Sequence, residues 1–232
     1  MFPIRPAVRA LGLAWGALLF TGVGSAYGQT EPAGPLTGAY FAVYPVAVSS
    51  LGTPGHHSRF TEDNDWVRES RNPTGPGLAV AVGVPMDPRL GFSVMVTRRF
   101  APMREEYSRT TTNQERFFEE SSWDAAAIVS TWGGPIRIGG GVGFLVTTVR
   151  SRTENFGAVI SEDANGAMKG LVLDVAGALP IRSGLALDLR LHGRYNQRTS
   201  YEGRTGSVIY EAGGPSLVAG VGIGWWSRDR FF

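Results

Sequence analysis

The sequence predicts an all-β fold: eight antiparallel strands in up-and-down order, closed into a single barrel. Apolar and non-aliphatic residues alternate with period two in segment after segment, as in strands with two chemically opposite faces. The connections between segments are short and long in turn. An N-terminal stretch with the form of a secretory signal peptide stands apart from these segments.

The N-terminus comes first. Arg5 and Arg9 precede the apolar run Leu11 to Phe20, and small residues follow from Thr21 to Gly28. Ala26 and Gly28 occupy the two small positions expected before a cut ahead of Gln29. Residues 1–28 are therefore expected to be a cleaved signal peptide, 29–35 a short N-terminal segment and 36–232 the barrel. The competing reading, a membrane anchor, needs about 20 apolar residues. This run is shorter, and Gly22 and Gly24 follow it.

The first strand, Gly38 to Val48, is apolar on both faces, so its register is unreadable. The second, Gly77 to Val84, sets Leu78, Val80, Val82 and Val84 against Gly77, Ala79, Ala81 and Gly83. The third, Leu90 to Val96, sets Leu90, Phe92, Val94 and Val96 against Gly91, Ser93 and Met95. The fourth, Ser122 to Thr131, alternates Trp123, Ala125, Ala127 and Val129 with Ser122, Asp124, Ala126 and Ser130. In the fifth, Ile136 to Val146, Ile136, Ile138, Val142, Phe144 and Val146 oppose Arg137, Gly139, Gly141 and Gly143. In the sixth, Gly170 to Leu179, Leu171, Leu173 and Val175 oppose Asp174, Ala176 and Ala178. The seventh, Gly184 to Arg198, is the cleanest: Leu185, Leu187, Leu189, Leu191 and Tyr195 face away from Asp188, Arg190, His192, Arg194 and Asn196. The eighth, Ser216 to Trp225, sets Leu217, Ala219, Val221, Ile223 and Trp225 against Gly220, Gly222 and Gly224.

Tight turns at Pro85–Arg89, Trp132–Pro135 and Pro180–Ser183 join strands two to three, four to five and six to seven. The other connections are expected to be long polar loops: Leu51–Gly75, Arg104–Phe117, Thr153–Ala167 and Thr199–Gly214. All long loops then lie at one end of an antiparallel meander, and closure removes its edges.

Composition agrees with a folded chain of unusual surface. Among 232 residues, 43% are hydrophobic and 18% charged, and the 32 glycines are about twice the usual share. Zero cysteine excludes a disulfide scaffold, a Cys-ligated zinc site and a Cys nucleophile. Removing Arg5 and Arg9 takes the 22 basic residues to 20, against 20 acidic ones. No basic stripe remains for a nucleic-acid partner.

Alternation alone does not say which face looks outward. A soluble lipocalin-like carrier would turn the leucines inward around an apolar ligand; a membrane barrel would turn them into lipid. Three features select the membrane barrel. Glycine stripes on the non-aliphatic face make room inside a narrow barrel. Asp124, Arg137, Asp174, Asp188, Arg190, His192 and Arg194 share that face, as in barrels with a polar interior. Trp123, Trp132, Tyr195 and Trp225 are read as an aromatic girdle on the apolar face.

With these segments, this connectivity and a chain ending in Phe231 and Phe232, residues Leu36 to Phe232 resemble the small eight-stranded outer-membrane β-barrels of Gram-negative bacteria, of the opacity-protein or OmpA-transmembrane-domain type. The resemblance implies an outer-membrane protein with both termini in the periplasm. Its implied role is structural, surface-interacting or that of a narrow pore, and it acts as a monomer without cofactor. Its implied partners are membrane lipid, lipopolysaccharide and, through the last strand, the barrel-assembly machinery. One departure is that Ser227, Arg228, Asp229 and Arg230 interrupt the alternation before the terminal Phe.

Candidates for chemistry are few. Ile138 to Phe144 is Gly-rich but lacks the Lys-Ser/Thr ending of a phosphate loop. His56 and His57, with Glu62, Asp63 and Asp65, have no fixed ligand spacing and are expected to be solvated rather than metal-binding. Lipid A deacylases of the resembled class pair a His with a Ser two residues on; here Arg194 follows His192. His192 and its charged neighbours are read as a lumenal ion-pair network, and no catalytic residue is assigned. Lipid A modification remains the alternative activity. Arg104, Glu105, Glu106, Arg109, Glu115, Arg116, Glu119 and Glu120 read as a solvated strand extension.

Overall fold

A computed structural model describes residues 38–50, 66–71, 74–100, 103–109, 114–155, 158–182, 184–202 and 208–227. The expected signal peptide, His56, His57, Glu62, Asp63, Asp65 and the terminal Phe231 and Phe232 lie outside them. The strands are β1 (Tyr40–Ser50), β2 (Trp66–Arg71), β3 (Thr74–Pro85), β4 (Leu90–Arg99), β5 (Met103–Arg109), β6 (Gln114–Thr131), β7 (Ile136–Asn155), β8 (Ala158–Arg182), β9 (Leu185–Glu202) and β10 (Val208–Trp226).

Every pairing is antiparallel. The order β6-β4-β3-β1-β10-β9-β8-β7 returns to β6, which closes an eight-stranded ring. β5 pairs with the upper part of β6, and β2 with β5, so these two carry the wall beyond the ring. The closure between β1 and β10 runs from Tyr40↔Trp226 to Ser50↔Ser216. Ser227 N donates to Ala39 O at 2.8 Å just below it.

The turns at one end are tight for local reasons. Asp87 Oδ1 accepts from the amides of Arg89 and Leu90, at 2.6 and 2.8 Å, and so folds the β3–β4 connection on itself. Gly133 (φ 81°) and Gly184 (φ 74°) take left-handed backbone in the β6–β7 and β8–β9 turns, where a side chain would be strained.

The opposite end differs from the sequence reading. Much of Arg104–Phe117 and Thr153–Ala167 is strand, not loop: β5 and β6 occupy most of the first, and β7 and β8 stay paired out to Asn155↔Ala158. The ladder continues where amphipathic alternation stops. Outside the apolar zone the outward face carries polar residues such as Arg150, Arg152 and Asp163, so the period-two signal fades while backbone pairing goes on. Cross-strand charge matching supports it: Glu119 opposes Arg150, and Arg150 Nε donates to Asp163 Oδ1 at 3.1 Å.

Side chains divide by parity. β4 reads exposed and buried in turn from Leu90 to Thr97, with Leu90, Phe92, Val94 and Val96 outside. Leu173 on β8, 75% exposed, and Ile136, Ile138, Val142, Phe144 and Val146 on β7 continue the outer belt. The 11 residues from Ile136 to Val146 span about 33 Å along the strand, or about 25 Å at the usual barrel tilt.

Glycines face the interior where something large must fit. A Cβ on Gly83 would run into the Tyr40 ring, and one on Gly91 into the Trp132 ring. A Cβ on Gly143 would lie 3.0 Å from the Arg194 guanidinium carbon.

Candidate functional site

The interior is a stack of charge. Alternation on β9 aims Asp188, Arg190, His192 and Arg194 inward, one above another; β6, β7 and β8 contribute Asp124, Arg137 and Asp174. All seven are buried, Asp188 completely.

The pairing is one to one. Arg137 donates to Asp188 Oδ2 at 2.8 Å, and the Tyr44 hydroxyl donates to Asp188 Oδ1 at 2.9 Å. Arg190 holds Asp174 with two parallel bonds of 2.8 and 2.9 Å and reaches the Tyr40 hydroxyl at 3.3 Å. His192 Nδ1 lies 3.3 Å from Asp174 Oδ1. Arg194 donates to Asp124 and, at 3.4 Å, to the Met168 carbonyl. Three carboxylates thus meet three guanidinium groups. An unpaired ion in so dry a place would be destabilising by several kcal/mol, roughly.

Three aromatic rings close the short-turn end. Tyr40 stacks on Trp226 with centroids 4.9 Å apart, and Trp132 lies 5.7 Å from Tyr40 and 5.8 Å from Trp226. The Arg137 guanidinium sits over them, 4.3 Å from the Tyr40 centroid and 4.9 Å from that of Trp226. This corrects the expectation for Trp132. It is 6% exposed and lumenal, not part of an outward girdle. Continuing the inward parity of Asp124, Ala126, Ile128 and Ser130 past the end of β6 leads to Trp132, and Gly91 opposite leaves it room. Trp123, Tyr195 and Trp225 do face outward. Arg98 lies over Trp123 at 4.7 Å, and Phe41 packs at 5.8 Å from Trp225.

Tyr40, Tyr44 and Trp226 are contributors that sequence reasoning missed. The uniformly apolar first strand hid the two tyrosines. The inward parity of Gly220, Gly222 and Gly224 reaches Trp226 and was the available signal for it.

At the long-strand end the lumen opens into a small recess of about 60 Å³, lined among others by Thr97, Arg99, Asp124, Met168 and Asn196. Beyond the recess, Phe118, Val149, Ala164, Met168 and Tyr201 form a second apolar cluster on the extended wall of β6 to β9. Burial pushes the Tyr201 hydroxyl up to about 12.

No family model matches the chain, and no curated protein matches it. Similar solved structures include the outer-membrane protein OprG from Pseudomonas aeruginosa, at 10% identity and TM-score 0.47, covering 84% of this chain and 99% of its own. Neisserial surface protein A is 15% identical at TM-score 0.36, covering 82% and 99%. Ail, the attachment invasion locus protein of Yersinia pestis, is 9% identical at TM-score 0.41, covering 82% and 98%. Strand topology and the partition of side chains carry the fold assignment. The closed ring of eight antiparallel strands, apolar without and charged within, is the fold of small outer-membrane β-barrels.

Proposed function

We propose that this protein is an integral, non-enzymatic barrel of the outer membrane with a structural or surface-interaction role. The carrying observation is the inverted partition: Leu173, Leu171, Ile136 and Ile138 point out, while Asp188, Asp174 and Arg137 are buried. A water-soluble barrel holding an apolar ligand needs the opposite arrangement. In this reading the short turns and both termini face the periplasm, and the extended strands face the exterior. Trp123, Tyr195 and Trp225 mark the two lipid interfaces. Its partners are outer-membrane lipid and lipopolysaccharide, with the barrel-assembly machinery engaged through the last strand.

The stacked ion pairs and the Tyr40–Trp132–Trp226 seal favour a closed lumen over a narrow pore. His192 faces this interior, away from acyl chains, and its near carboxylate is already held by Arg190. Both features favour an interior that is structural rather than catalytic.

Fractionation with outer membranes, together with faster gel migration unheated than boiled, is the test. A soluble periplasmic species would overturn the reading. Planar bilayers should show no discrete conductance, and lipid A masses should not change on expression.

A further inference from the structure

The apolar belt ends differently on different strands. Toward the long-strand end, the outward side chains of β4 run Leu90, Phe92, Val94, Val96 and then Arg98. Those of β8 run Leu179, Val175, Leu173, Leu171 and then Lys169. On these two strands the belt passes straight to a charge, and both charges are positive. The strands between them, β6 and β7, pass first through Ser121 and Thr148. Farther out, Arg150 and Asp163 already hold each other. Arg98 and Lys169 have no carboxylate partner among the described residues. Arg98 instead lies over the outward ring of Trp123.

The two cations stand on one side of the barrel. Lys169 pairs with Phe144, Phe144 with Ala125, and Ala125 with Val96, two residues from Arg98. Three strand spacings and two residues along β4 put their backbones about 16 Å apart along the wall. Both side chains are long enough to lean across β6 and β7 and narrow that gap. Below Trp123, the small outward residues Ala125 and Ala127 leave a shallow channel, with Val94 and Val96 on one side and Val142 and Phe144 on the other. Charge complementarity at this spacing favours a ligand with two anions on one spacer and apolar chains beneath. A phospholipid headgroup brings one phosphate. The diglucosamine headgroup of lipid A brings one at each end, above its acyl chains. We propose that Arg98 and Lys169 bind the two phosphates of a single lipid A molecule. Its headgroup lies across β6 and β7, and its acyl chains follow the channel below Trp123. The site rests on the outer-membrane reading, which turns these residues toward the lipopolysaccharide leaflet.

The test is native mass spectrometry of the full barrel in detergent micelles, titrated with bis-phosphorylated lipid A, monophosphorylated lipid A and dioleoyl phosphatidylglycerol. The bis-phosphorylated form should saturate at one molecule per barrel, and loss of one phosphate should weaken binding tenfold or more. Arg98→Gln and Lys169→Gln should each weaken binding of the bis-phosphorylated form by a similar factor. Arg182→Gln, at the short-turn end, should leave it unchanged. The proposal is overturned if phosphatidylglycerol binds as tightly as lipid A, or if one phosphate suffices. It is equally overturned if the folded variants bind like the parent, or if Arg182→Gln weakens binding as much as they do. Heat-dependent gel migration is scored on each sample. A barrel that folds but binds no lipid A refutes the site and leaves the membrane reading intact. A chain that folds as a soluble species without detergent overturns both.

Discussion

Asp174→Ala isolates what the charged interior contributes. Asp174 is 2% exposed and takes two bonds from Arg190 at 2.8 and 2.9 Å. Its removal leaves Arg190 buried with the Tyr40 hydroxyl, at 3.3 Å, as its remaining hydrogen-bond partner. Breaking a buried pair from one side typically destabilises by about 3–5 kcal/mol. The same fold supplies a control. Arg150 and Asp163 form a similar contact at 3.1 Å, but their side chains are 65% and 56% exposed. Asp163→Ala should therefore change stability by no more than about 1 kcal/mol. Urea unfolding in lipid vesicles, followed by tryptophan fluorescence, measures both. The double replacement Asp174→Leu with Arg190→Met should recover most of the loss, because an apolar pair of similar volume carries no stranded charge. A loss for Asp174→Ala close to that for Asp163→Ala, or no recovery in the double variant, refutes the reasoning.

Other predictions follow from the same partition. Leu173→Arg, on the lipid face, should destabilise the barrel in bilayers by about 2–4 kcal/mol, read in the same urea assay. Gly91→Leu drives a side chain into the Trp132 ring and should lower stability by about 1–3 kcal/mol. In single-tryptophan variants, brominated lipid should quench Trp123 and Trp225 strongly and Trp132 and Trp226 weakly; equal quenching would contradict the inward position of Trp132. Tyr201 is an acid whose pKa is raised from 10.0 to about 12 by burial. Its contribution to stability is full below its unfolded pKa and is lost as pH rises from about 10 through 12. Tyr201→Phe should flatten that part of the alkaline stability profile.

The alternation of β9 was legible because burial and lipid exposure differ sharply across one strand, so Arg190 and Leu191 cannot exchange faces without stranding a charge in lipid. The same logic reached Asp124, Arg137 and Asp174. It failed where chemistry does not change across the strand. β1 is apolar on both sides, so Tyr40 and Tyr44 could not be placed. The outer parts of β7 and β8 turn polar residues such as Arg150, Arg152 and Asp163 outward, so a continuous ladder to Asn155 looked like a loop. Trp132 was misplaced for a different reason: being aromatic near a turn suggested an interface, while parity and the space above Gly91 decide its direction.

Local pattern by itself determined the two faces of β3, β4 and β6 to β10 within the apolar zone, since alternation depends on neighbours two residues apart. Partner choice did not follow from it. Asp188 is two residues from Arg190 on the same face of β9, yet it pairs with Arg137 of β7, while Arg190 takes Asp174 of β8. Those choices depend on how far β7, β8 and β9 are staggered, and stagger is set by the whole ring when β1 meets β10. The seal of Tyr40, Trp132 and Trp226 arises in the same way, from the starts and ends of strands that only closure brings together.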